Sequence, residues 1–166
     1  MSRANCGKLY RARSRKGLMR GPKGANHAQS PLSNPLMSPD YFDTRFRLGL
    51  PLPELPEEFA IITAYATTGE AWTAEENQAA NEALSAELAG GGHLLGTITG
   101  YSPVTQHAEP GFVAALSFEE ACKIGFRFKQ DAIYFVSSGT LFVSHCDHRR
   151  SLKPITQLSK RVDPTA

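Results

Sequence analysis

The stretch Phe59-Ala-Ile-Ile-Thr-Ala-Tyr-Ala66 is apolar on both faces and rich in β-branched and aromatic side chains, which predicts a strand buried between two layers. Thr67-Thr68-Gly69 breaks it. Thr73-Ala-Glu-Glu76 has the spacing of a capping box, in which the Thr73 hydroxyl takes an orphan helix N–H and Glu76 reaches back. Ala80, Leu84 and Leu88 then recur on one helical face, and Gly90-Gly91-Gly92 ends the helix. A second strand is predicted over residues 94–99, closed by Gly100, and the loop 101–110 leads to a third over 112–116. Ser117-Phe-Glu-Glu120 repeats the capping box and opens a second helix through Ala121, Ile124, Gly125 and Phe128. Two more strands, 132–136 and 141–144, are joined by the hairpin signal Ser138-Gly139.

This order predicts an α+β fold, a ferredoxin-like β-α-β-β-α-β core with an added C-terminal strand. The first strand offers Ala60, Ile62 and Ala64 on the face suited to close helix packing, and Phe59, Ile61 and Tyr65 on the other. Two helices cover only one sheet face in such a topology. The second face is therefore expected to meet residues 40–58, a second copy in a homodimer, or another partner. Residues 40–58 read as a proline-rich extended cover, because Tyr41, Phe42, Phe46 and Leu48 give them apolar weight while Pro51, Pro53 and Pro56 exclude a continuous helix. The domain itself is expected over 59–147, followed by a polar tail at 148–166.

Several of these short strings resemble a known family. Phe59-Ala-Ile-Ile-Thr63-Ala64, the Glu76-Asn77 pair at a helix start, Gly100, Glu109-Pro110 and Phe128-Lys-Gln130-Asp-Ala132 are similar to the bacterial family named domain of unknown function 3293, over roughly residues 40–147. Where that family commonly has Asn-Pro after Thr-Ala-x, this chain has Ala66-Thr67 after Tyr65. The resemblance implies a domain boundary and carries no established activity.

In the predicted topology the polar residues of these strings gather on one edge of the sheet. That edge collects Thr63 and Tyr65 at the end of the first strand, Asn77 at the helix start, Glu109 in the loop and Gln130 after the second helix. A small-ligand or catalytic cleft is one reading: Glu109 is the candidate acid/base, Asn77 and Gln130 the amide partners, Thr63 and Tyr65 the wall. Each also has a purely structural explanation, with Asn77 and Glu76 capping a helix, Glu109 bonding loop backbone and Gln130 satisfying the start of the fourth strand. A metal variant would draw on His107, His145 and His148 with Glu109, because imidazoles and a carboxylate suit zinc, manganese or iron. His145 and His148 stand awkwardly on a strand end, and neither HExxH nor a cysteine pair is present, so no metal or other cofactor is assigned.

Composition adds a sharp asymmetry. The 166 residues include 18 basic and 16 acidic side chains, and eight of the basic ones fall in residues 1–39, where there is no Asp or Glu. The remaining ten face all 16 acids, so an acidic body of net −6 follows a basic arm. The arm, 1–39, has three readings: a functionless tail or one upstream of a true start at Met37, a nucleic-acid contact through residues 1–36, or a targeting segment. The acidic body would repel a phosphate backbone, so nucleic-acid binding rests on the arm alone. No apolar run reaches the roughly 18 residues of a membrane helix, and no secretory h-region is present, so a cytoplasmic domain is expected. Cys6, Cys122 and Cys146 form no CxxC, and GxSxG, P-loop and GxGxxG patterns are missing. The sequence thus predicts a ligand-binding, regulatory or interaction domain with a polar edge site. An enzyme using Glu109 and a nucleic-acid-associated protein are the alternatives.

Overall fold

The computed structural model describes residues 36–49, 54–67 and 70–163, all within one compact unit, Leu36–Ala166. Of the expected basic arm, 1–39, residues 1–35 with all eight of its basic side chains lie outside the described residues. A short helix α1 (Asp40–Asp43) leads into β1 (Arg45–Leu48), followed by β2 (Glu58–Thr63), α2 (Ala74–Gly90), β3 (Leu94–Tyr101) and β4 (Ala108–Ala114). Then come α3 (Phe118–Arg127), β5 (Ala132–Ser137), β6 (Thr140–His145) and β7 (Lys153–Gln157), with a 3-10 turn at Leu158–Lys160. Both capping boxes form: Thr73 accepts from the Glu76 N–H and Ser117 from the Glu120 N–H, with each glutamate returning to its cap. Ser138 and Gly139 both take positive φ, as a two-residue hairpin turn between right-twisted strands requires.

The ferredoxin-like expectation is overturned. The strands form one seven-stranded sheet in the order β1-β3-β4-β2-β5-β6-β7, every neighbour antiparallel, curled into a half-barrel. The segment read as a cover supplies β1, which pairs with β3 from Arg45↔Tyr101 to Leu48↔Ile98. The segment read as a polar tail supplies β7 on the far edge, where Pro154 is tolerated because an edge strand has one unpaired side. Beyond β7 the chain turns back to the opposite end of the sheet. There the Phe46 N–H donates to Arg161 O at 2.8 Å, and the Asp163 N–H donates to Phe46 O at 2.9 Å.

The curl gives the sheet two different apolar faces. Ala60, Ile62 and Ala64 lie under the helices with Leu84 and Leu88 of α2 and Ala121, Cys122 and Ile124 of α3. Fully burying each of the two leucines contributes about 1.5–3 kcal/mol. Inside the curl, Phe59 and Ile61 meet Phe46, Ile98, Val113, Val136 and Leu141, with Leu48, Ile155, Leu158 and Val162 against them. Of the covers expected for this second face, residues 40–58 supply part through Phe46, Leu48 and Leu55, joined by Ile155, Leu158 and Val162 from the C-terminal segment. At the rim of the β2–β4 pair, a Cβ on Gly111 would lie 2.8 Å from Ile62 O, so these two strands approach there only because residue 111 has no side chain. Pro110, one residue earlier, lies past the end of the β2 ladder, so its missing N–H costs no bond to β2. Among the described residues no helix is long and apolar enough to cross a membrane.

Candidate functional site

Helix α3 ends in a way that delivers Gln130 to the end of β2. Lys129 takes φ +57, the left-handed position usually given to glycine, and the Lys129 and Gln130 N–H groups bond Phe126 O at 3.0 Å and Gly125 O at 2.9 Å. These are the two bonds of a Schellman motif, and they reverse the chain. The Gln130 amide is then fully used: Oε1 accepts from the Thr63 hydroxyl at 2.8 Å, and Nε2 donates to Tyr65 O at 2.8 Å and Phe128 O at 3.1 Å. Gln130 and Thr63 therefore shape a wall and join β2 to α3.

Asn77 performs a similar joining task at the start of α2. Its Oδ1 accepts the Ala66 N–H at 2.8 Å, fixing the chain that leaves β2, while capping falls to Thr73 and Glu76. Its Nδ2 has no protein partner among the described residues. Across the gap, β4 presents Glu109, whose Oε1 is 2.9 Å from His107 Nε2. The Glu109 side chain is 29% exposed and that of His107 69% exposed, so the pair sits at a mouth rather than in a core.

These residues surround one cavity of about 520 Å³. Thr63, Asn77, Glu109 and Gln130 line it together, and His107 joins them. Tyr65 contributes its backbone carbonyl to Gln130, but its side chain is not on the cavity wall. His145 and His148 are elsewhere. His145 is buried opposite Ala132, with no partner for Nδ1 among the described residues, and His148 is exposed beside Asp147. Among the described residues no three His, Cys, Asp or Glu side chains are grouped as a metal site.

Much of the wall comes from residues that were not among the candidates read from the sequence. Tyr41 and Thr44, from α1 and the residue after it, face Tyr134 of β5, and Asp40 lines the wall beside them. The Tyr134 hydroxyl donates to Thr44 Oγ1 at 2.6 Å and lies 3.0 Å from Tyr41 O, and burial pushes its pKa well above the usual tyrosine value. It is thus a neutral tether, not a base. Trp72 and Glu70 line the side next to Asn77, and Tyr101 the side next to Glu109. The only signal for Tyr41 was the apolar weight of its segment. Trp72, a lone aromatic before a helix cap, carried none.

Tyr101 is also part of the clasp that holds the sheet ends together. Its hydroxyl donates to Asp163 Oδ2 at 2.6 Å, and Arg45 Nε donates to Asp163 Oδ1 at 3.0 Å. The Tyr101 and Arg45 hydrogen bonds hold the Asp163 carboxyl below its usual range. Cys122 and Cys146 are buried away from this wall, and burial pushes their thiols up to about 11 and about 12. Neither is a ready thiolate nucleophile.

Residues 62–133 match the model of the family described as Protein of unknown function (DUF3293). Over that stretch the chain resembles this family. The matched residues start within β2 and end in β5, so they include Thr63, Trp72, Asn77, Tyr101, His107, Glu109 and Gln130. The α1 and β1 side of the cleft, Tyr134, and the Asp163 clasp lie outside it. No curated protein and no solved structure matches the chain.

Proposed function

We propose that this protein binds a small molecule in the cleft between α1, the start of α2 and the β3–β4 loop. The observation that carries the reading is convergence: side chains from α1, β2, α2, β4 and β5 meet around one space of about 520 Å³. That is the size of an ordinary ligand pocket, about 300–1,000 Å³. Aromatic walls with a few polar groups, here Asn77, Glu109 and His107, are what such sites use for contact area and orientation. Trp72 is the single tryptophan of the chain, so tryptophan fluorescence arises at the cavity wall. A screen of cationic, neutral and anionic metabolites against the full chain should find compounds that shift Trp72 emission and raise the melting temperature together. A well-folded protein that responds to none of them would overturn the reading.

The His107–Glu109 contact favours catalysis as a second reading, with Glu109 taking a proton from the ligand and His107 orienting the carboxylate. Binding is placed first because, among the described residues, the cysteines lie off the wall and the His107 ring is bonded to Glu109 rather than to a hydroxyl it could activate. Chemical turnover of a compound that the screen identifies, lost in Glu109→Gln while binding persists, would reverse that order.

A further inference from the structure

We infer that the cleft selects a small organic cation, a protonated amine or quaternary ammonium compound; this rests on the binding reading above. Among the described residues the acidic side chains on the wall are Asp40, Glu70 and Glu109, with His107 beside Glu109, and none of the described lysines or arginines lines it. His107 is held against Glu109, so among the described residues of the wall Asp40 and Glu70 have no basic neighbour. A concave surface lined by one sign of charge concentrates the opposite sign and excludes its own, so phosphorylated and carboxylated ligands are disfavoured.

The rest of the wall suits a cation as well. Tyr41, Trp72, Tyr101 and Tyr134 present aromatic rings, whose negative faces attract cations more strongly once water is excluded. Two of these rings already hold a cation in this fold. The Arg47 guanidinium lies 4.1 Å from the Tyr101 ring centre and Lys129 Nζ 5.6 Å from that of Trp72, and both side chains stand outside the cavity lining. The nearby positive charge of Arg45 and Arg47 is answered by Asp163, which also lies outside the lining. Carboxylates for the charge and rings for the carbon skeleton are the two halves of an ammonium site.

The test uses four-carbon probes of matched length with the full chain: 1,4-diaminobutane, 1,4-butanediol and succinate, with tetramethylammonium as a quaternary probe. Saturable binding is read by Trp72 emission and by titration calorimetry. The expectation is binding of a cationic probe only, weakened at least about tenfold by Glu109→Gln and by Asp40→Asn. Glu82→Gln, on the exposed face of α2, should leave it unchanged, which separates the cleft from general attraction to an acidic surface. Equal binding of succinate or the diol, or binding of cations unaffected by both cleft variants, would overturn the cation assignment. If the wider screen finds a neutral or anionic ligand while all cations fail, the cation assignment falls and the binding reading stands. If nothing binds, both fall.

Discussion

The Thr63 hydroxyl donates to Gln130 Oε1 at 2.8 Å, which ties the last residue of β2 to the second residue past the α3 C-cap, Phe128. Replacing Gln130 with Ala would leave the Thr63 hydroxyl and the Tyr65 and Phe128 carbonyls without this partner. An unmet buried polar group costs about 1–3 kcal/mol. Gln130→Ala should therefore lower the urea midpoint by an amount equivalent to about 2 kcal/mol with an unchanged slope. Wild-type stability in the variant would show that the amide network is dispensable.

Gly111→Ala places a methyl 2.8 Å from Ile62 O and 3.0 Å from Thr63 Cγ2. Backbone cannot step aside as a flexible side chain can, so a loss of about 1–3 kcal/mol is expected. The displaced Thr63 should also disturb Trp72 emission on ligand binding. A melting temperature within error of wild type would mean that β2 and β4 part freely at this rim.

Asp163 predicts a pH dependence. Its folded carboxyl is held below the usual 3.8 by the Tyr101 hydroxyl and then Arg45, so the folded state binds protons less readily than the unfolded one. The stabilisation is present above the unfolded value and is lost as pH falls through the folded one. Asp163→Asn should be less stable than wild type at neutral pH, and the gap should narrow below pH 3.8. A gap that stays constant on acidification would remove the clasp's ionic character.

Cys122 and Cys146 are 0% and 2% exposed, and their thiols are pushed up to about 11 and about 12. A Cys6→Ser chain should therefore resist a thiol-specific dye at neutral pH and react fully once unfolded. Reaction as fast in the native state as in denaturant would show that α3 does not hold its place on the sheet.

The individual segments under the helices were legible because their signals are local. The Thr73/Glu76 and Ser117/Glu120 boxes, the Ser138-Gly139 turn and the alternation of Ala60, Ile62 and Ala64 with Phe59 and Ile61 each involve neighbours along the chain. They determined which residues form helices and strands and which strand face meets a helix. Four of the five candidates, Thr63, Asn77, Glu109 and Gln130, lie on the cavity wall.

Only the tertiary structure decided the curl, and with it the cleft. β1 and β7 have four and five residues, too few for a period to declare itself, and they become strands through partners far away in sequence. Pairing Phe46 with residues 161–163 draws the ends of the sheet together, which turns the face away from the helices into a second core. The same bend sets Tyr41 and Thr44 against Tyr134, 93 and 90 residues away, closing a wall that no local pattern announced. Sequence determines local propensity. Which distant surfaces meet is settled by burying both faces of one sheet at once.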